Sequence, residues 1–405
     1  MEPLEVKYGL PREVAFCTKC VISNQRPSST VEFKNNRATD DHKETIVFGD
    51  DGVCDACRFA EYKETNIDWD ERRTDLMKLC DRYRKTDGSY DCLVPGSGGK
   101  DSAYTAHMLK HAFGMNPLTV TWAPHLYTDI GWKNMTAWSH EGGFDNVLFT
   151  PNGHVHRLVT RMAFENLVHP FQPFIIGQKL IAPKFALMYN IPLIFYGENQ
   201  AEYGNNIKDN DSPTMREEFF AYDADVDSLF LGGVSARELI EKHNIPRGEL
   251  NPYLPAPSEK IKQLGVQVHY LGYYLKWDPQ ECFYYAVKHT GFTPNYERTE
   301  GSWSKYSSID DRIDPFHYYT TLIKFGLGRA TYDASQEIRN HKITREEGVA
   351  LVRRFDAEFP KKYFKEFLEY TGITEERFWD VIDVARSPHL WTKESGKWKL
   401  RTQAH

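Results

Sequence analysis

The 405-residue chain reads as an α/β protein: a parallel sheet covered by helices, preceded by a small four-cysteine module and followed by a mainly helical region. Three observations predict this. From about residue 90 to residue 235 short apolar runs alternate with helical patterns, as a parallel sheet with right-handed crossovers requires. Before it, two Cys-x-x-Cys pairs stand in a stretch poor in periodic apolar residues. Beyond it, the apolar spacing is helical. The expected divisions are 1–62, 63–235 and 236–405.

With 40% hydrophobic and 14% aromatic residues the chain can bury a sizeable core. Its formal net charge of -7 supplies no excess of cations to hold a phosphate backbone, which disfavours nucleic acid as the main partner. No apolar run approaches the roughly 20 residues that cross a bilayer. The N-terminus has neither a basic segment nor an apolar core of a signal peptide, so a cytoplasmic location is expected.

Thiols stay reduced in that compartment, so the cysteines call for metal binding rather than disulfides. Cys17-Thr-Lys-Cys20 and Cys54-Asp-Ala-Cys57 are separated by 33 residues and can give one tetrahedral ion four thiolates. A closed four-cysteine site has no open position, which makes it a structural zinc site; an iron-sulfur cluster is the alternative. The polar stretch 35–43 between the pairs is expected to be an exposed loop. Cys80, Cys92 and Cys282 stand alone and none has the setting of a nucleophile.

In the central region, apolar runs predict strands at Tyr90–Val94, Pro117–Trp122, Asn146–Phe149 and Pro192–Phe195. Helical spacing covers Asp101–Phe113 and segments near 132–140, 154–168 and 178–189, then 335–340, 344–355 and 374–384. Thr344-Arg-Glu-Glu347 matches a capping box and sets a helix start.

The first strand runs into Ser97-Gly98-Gly99-Lys100-Asp101-Ser102 and then into a helix. Adjacent glycines let backbone N–H groups approach an anion, and the helix start adds unpaired donors and partial positive charge. The two serine hydroxyls and the Lys100 ammonium complete a phosphate site. A Walker-type loop is excluded, because Val94 stands where it needs glycine and Asp101 where it needs Ser or Thr. The order S-G-G-K-D-S resembles instead the PP-loop of ATP pyrophosphatases, a HUP-like fold. That resemblance implies ATP as substrate, Lys100 and Asp101 as catalytic residues, and Asp101 as a magnesium ligand.

The strand before Gly197 leads into Glu198-Asn199-Gln200-Ala201-Glu202, at the strand end where open α/β sheets gather ligands. Glu198 is the expected second magnesium ligand, with Glu202 as its rival. The loop 123–131 is placed by topology at the adenine.

Further strings carry a narrower resemblance: Phe171-Gln172-Pro173-Phe174, Tyr196-Gly-Glu-Asn199, His269-Tyr-Leu-Gly-Tyr-Tyr-Leu-Lys-Trp277, Arg298-Thr-Glu-Gly301, Ser308-Ile-Asp-Asp311 and Gly328-Arg-Ala330. With the cysteine pairs and the phosphate loop, they resemble the N-acetyl sugar amidotransferases of bacterial surface-polysaccharide, O-antigen and nonulosonic-acid pathways. The resemblance implies conversion of an acetamido group, on a sugar expected to be nucleotide-linked, into an acetamidino group through an adenylated intermediate and ammonia. It also implies glutaminase-like and cyclase-like partners that supply the ammonia, in keeping with the lack of a glutaminase cysteine here. Gln172, Asn199, Arg298 and Arg329 are the expected sugar contacts, with Lys324 and Gln178 as further candidates. Asp310-Asp311 is read as a helix-start or surface pair. Rival readings are a tRNA-thiolating or lysidine-type enzyme, which would need catalytic cysteines and a basic face, and a nonenzymatic nucleotide-binding module.

Overall fold

The computed structural model describes residues 4–37, 43–203, 212–223 and 225–405. Most of the expected polar loop, 38–42, lies outside them. Four strands, β1 (Cys92–Pro95), β2 (Pro117–Trp122), β3 (Asn146–Phe149) and β4 (Leu193–Tyr196), join the strand Gln267–Tyr270 in one five-stranded sheet. Its spatial order is β3-β2-β1-β4 followed by Gln267–Tyr270, and every pairing is parallel. β1 and β2 are buried at every position, as strands covered on both faces must be.

Helices α1 (Asp55–Thr65) and α2 (Trp69–Tyr83) link the cysteine module to the sheet. Helix α3 (Lys100–His107) leaves the phosphate loop and ends in a π turn, Met108–Ala112, while α4 (Asp129–His140), α5 (Gly153–Leu167) and α6 (Gln172–Tyr189) complete the crossovers. On one sheet face α5 and α6 pack Val159, Phe164, Leu180 and Ile181 against Leu93, Val120 and Ile194. On the other, Ala103 and Ala106 of α3 and Leu109 of the π turn meet Val94, Phe195 and Trp277. The architecture is the expected α/β core with an N-terminal four-cysteine cluster and a largely helical C-terminal region, consistent with a PP-loop, HUP-like fold.

The sheet takes its fifth strand, Gln267–Tyr270, from beyond residue 235. The C-terminal region is built on helices including Pro279–Thr290, Asp314–Phe325, Arg329–Arg339 and Arg345–Phe355. At Thr344 both capping-box bonds are present, Glu347 N–H to Thr344 Oγ1 at 3.2 Å and Thr344 N–H to Glu347 Oε2 at 2.8 Å. Among the described residues, no helix is long and apolar enough to cross a membrane.

The cysteine module is tied to this body by C-terminal arginines. Arg345 donates to the carbonyls of Cys17 and Cys20, both at 3.2 Å, and Arg339 donates to the carbonyl of Glu202 at 2.9 Å. A buried Lys63 on α1 completes the link, donating to both Glu202 carboxylate oxygens at 2.9 and 3.0 Å and to the Trp277 carbonyl at 3.0 Å. Glu202, the rival magnesium ligand, is thus ion-paired with Lys63.

Candidate active site and metal centre

The Sγ atoms of Cys17, Cys20, Cys54 and Cys57 lie within 4.8 Å of one another, and all four residues are buried. Cys17–Cys57 and Cys20–Cys54 are 3.8 and 3.7 Å apart, too long for disulfides. A tetrahedron with Zn–S bonds of about 2.3 Å has edges of about 3.8 Å, so the spacing fits zinc. The backbone N–H groups of Lys19, Cys20 and Cys54 point at Cys17 Sγ from 3.3 to 3.5 Å and would stabilise a thiolate. The four cysteines thus form a closed centre able to hold a metal.

At the carboxyl end of β1 the chain turns through the glycines. Gly98 has φ +78, and a Cβ there would stand 2.8 Å from the Asn134 carbonyl oxygen of α4, so no other residue fits. Gly99 caps α3, and Ser102 Oγ donates back to the Gly99 carbonyl at 3.1 Å. Ser97, Lys100 and Asp101 reach a cleft of about 1010 Å³, at the upper end of the usual range for ligand sites. Gly98, Gly99 and Ser102 stand behind its lining and shape the turn.

Lys100 Nζ lies 2.6 Å from both carboxylate oxygens of Asp101. Burial lowers the lysine's pKa, but Asp101 and Glu198 more than compensate and hold it above its ordinary value. Glu198, at the end of β4, lines the same cleft. An ammonium and two carboxylates therefore converge where pyrophosphate oxygens would enter, a charge pattern that suits magnesium between carboxylates and phosphate.

The opposite wall comes from segments far away in sequence. Asp310 and Asp311, expected at a helix start or on the surface, stand just before the helix Asp314–Phe325, where Asp311 accepts from the Ile313 N–H at 2.9 Å, and are seated over the end of β2. Asp311 is buried, accepts from the His125 and Leu126 amides at 2.7 and 3.3 Å, and lies 2.7 Å from His125 Nδ1. The Asp310 carbonyl accepts from the Thr128 N–H at 3.1 Å, and Asp310 lines the same cleft as Ser97. This approach needs a glycine at 131, where a Cβ would stand 2.5 Å from Asp310 Cα. In the 123–131 loop, expected at the adenine, the amides of 125, 126 and 128 are bonded to the C-terminal segment, and the loop is absent from the cleft lining.

Of the expected sugar contacts, Arg329 lines the cleft, paired with Asp333 at 3.0 Å and 4.4 Å from the Tyr318 ring centre. The other three do not reach it. Gln172 is fully buried, donating to the Glu32 carbonyl at 2.9 Å and accepting from Gly232 N–H at 2.8 Å. Asn199 is buried and accepts from Ala201 N–H at 3.2 Å. Arg298 makes a two-pronged ion pair with Glu358, at 2.6 and 2.7 Å. Gln178 and Lys324 do line the cleft. Lys324 donates to the Leu167 carbonyl at 2.9 Å, and burial pulls its pKa down to about 7.

The cysteine module also supplies part of the wall, through Ser28, Thr30, Glu32, Asn35 and Lys43. Sequence reasoning gave these residues no role. Their participation depends on a fold-back with no local signature.

Asp314 opens the helix Asp314–Phe325 at the cleft. Burial, reinforced by Asp310 and Asp311, outweighs Arg329 and pushes its carboxyl up to about 7. A raised acid favours the folded state below its unfolded pKa of about 4 and loses that contribution as pH rises through about 7. Asp314→Asn is therefore expected to raise thermal stability relative to the parent at pH 8, with a smaller gain at pH 5. Melting curves across this window check it; a gain that grows on acidification would refute the assignment.

With this geometry in place, comparison with known proteins adds one family. Residues 300–404 match the C-terminal domain of WbpG-like LPS biosynthesis proteins. The match covers the C-terminal region alone. That region includes Asp310, Asp314 and Arg329 of the cleft. No curated protein matches the chain. Among solved structures, the chain is similar to the NMN synthetase from Francisella tularensis at 14% identity, covering 56% of this chain and 93% of that one, with a TM-score of 0.25. The last likeness is too slight to carry an argument.

Proposed function

We propose that the chain is an ATP-dependent amidotransferase, AMP- and pyrophosphate-forming, that converts an acetamido group of an N-acetyl sugar into an acetamidino group. The carrying observation is that one cleft joins the S-G-G-K-D-S loop to the C-terminal region matching WbpG-like LPS biosynthesis proteins. A nucleotide-linked sugar of a surface-polysaccharide or O-antigen pathway is the substrate class this reading favours.

An amide carbonyl is a poor electrophile and its oxygen a poor leaving group. In the reading offered here, that oxygen attacks the α-phosphorus of ATP and pyrophosphate departs. Ammonia then adds to the carbon, a proton is lost, and AMP leaves with the original oxygen. Ser97, Lys100 and the amides at the start of α3 would hold the departing pyrophosphate, where fixed donors meet developing charge. Asp101 and Glu198 would hold magnesium, which supplies charge neutralisation for the phosphates. Arg329 and Gln178 would orient the acceptor. Ammonia would come from glutaminase-like and cyclase-like partners.

The test is incubation of the purified chain with ATP, magnesium, ammonium and a panel of nucleotide-linked N-acetyl sugars. Sugar mass should fall by the difference between O and NH, with AMP and pyrophosphate formed in step. Glutamine in place of ammonium should support no turnover without a partner. Pyrophosphate release that requires tRNA would favour a tRNA-modifying enzyme, and ATP binding without cleavage on any acceptor would favour a binding module.

A further inference from the structure

Outside the cleft, the far end of α3 carries a group of side chains that the proposed reaction does not use. His107 closes α3, and His111 follows four positions later inside the π turn Met108–Ala112. Their rings are tilted by 33° with centroids 4.1 Å apart. The helix Pro279–Thr290 brings His289 to the same place, its ring 5.2 Å from that of His107. Tyr285, one turn earlier on that helix, has its hydroxyl 2.8 Å from His107 Nδ1 and its ring 4.3 Å from His289.

We propose that His107, His111 and His289 form a second metal site, for a divalent transition ion such as zinc, that clamps the end of α3 to the helix Pro279–Thr290. Imidazole nitrogen suits zinc, copper and nickel, and three such ligands leave one position for water. His107 is half-buried between His111 and His289, and neutral imidazole is a common metal ligand. The Tyr285 hydroxyl on Nδ1 leaves Nε2 for the ion and fixes the ring, the outer partnership that metal-bound histidines ordinarily have. Among the described residues, only the four cysteines have three or more donor atoms already within 4.8 Å of one another. Closing the histidine site thus requires ring rotation, which the exposed positions of His111 and His289 permit. A π turn is a recurrent feature of functional positions in helices, and here it sets the geometry of His111.

The experiment is zinc and cobalt titration of the full-length, untagged protein, followed by equilibrium dialysis and absorption spectra. The parent should bind two equivalents. One should show thiolate charge transfer with cobalt, and the other should lack it. His111→Ala/His289→Ala should keep the thiolate-bound equivalent, which also reports that the fold is intact, and lose the second. His289→Gln alone should weaken the second equivalent, and Tyr285→Phe should weaken it about tenfold or more. Saturation of the parent at one equivalent, or a second equivalent that survives the double substitution, would overturn the proposal.

Discussion

Replacing Lys100 by alanine is expected to lower pyrophosphate release by about 10²–10³-fold, the usual cost of removing one preorganised group that stabilises transition-state charge. The side chain starts α3 and its ammonium is held above its ordinary pKa by Asp101 and Glu198, so in the proposed reaction it would meet the phosphates charged. Its removal leaves two carboxylates facing the pyrophosphate with less to balance them. The fold should survive, because Lys100 lies at the cleft and the glycine turn is set by Gly98 against α4. Rapid-quench measurement of pyrophosphate, with circular dichroism on the same samples, checks both halves. Retained turnover would remove the phosphate loop from the mechanism.

The second large effect is expected at the cysteine cluster. Cys54→Ser should release the metal and cost on the order of several kcal/mol of stability, since metal affinity at such a site is folding free energy. The damage should extend beyond the module. Its chain segment supplies Ser28, Thr30, Glu32 and Asn35 to the cleft, and α1 holds the loop after β4 through the buried Lys63–Glu202 pair. The variant should therefore show both a lower melting temperature and a raised KM for ATP or acceptor. Metal analysis and thermal melts decide it; a stable, metal-replete variant would refute the four-thiolate centre.

The sequence was most legible where physics is local. β2 and β3 have the bounds their apolar runs predict, and the capping box at Thr344 starts a helix as its spacing requires. The strand Gln267–Tyr270 was hidden because its run, Gln-Val-His-Tyr, holds a single aliphatic residue, where β3 and β4 show continuous apolar runs. In addition, His269 gives the run a polar look that is resolved only in three dimensions, by Tyr274 Oη at 2.8 Å from its Nδ1. The same limit governs the site. The glycine, serine and lysine pattern of the loop is contiguous and could be read directly. Arg298 finds Glu358 only through tertiary structure, and Asp310 reaches the cleft because Gly131 permits close approach of two distant segments.

The most direct test of the central claim follows the acceptor oxygen. An N-acetyl sugar nucleotide carrying heavy oxygen in its acetamido carbonyl would be turned over with ATP, magnesium and ammonium, and the AMP analysed by mass spectrometry. Activation of that carbonyl by adenylation predicts one heavy oxygen in every AMP formed and none in pyrophosphate. Unlabelled AMP, with the label in water, in pyrophosphate or still in the sugar, would contradict it.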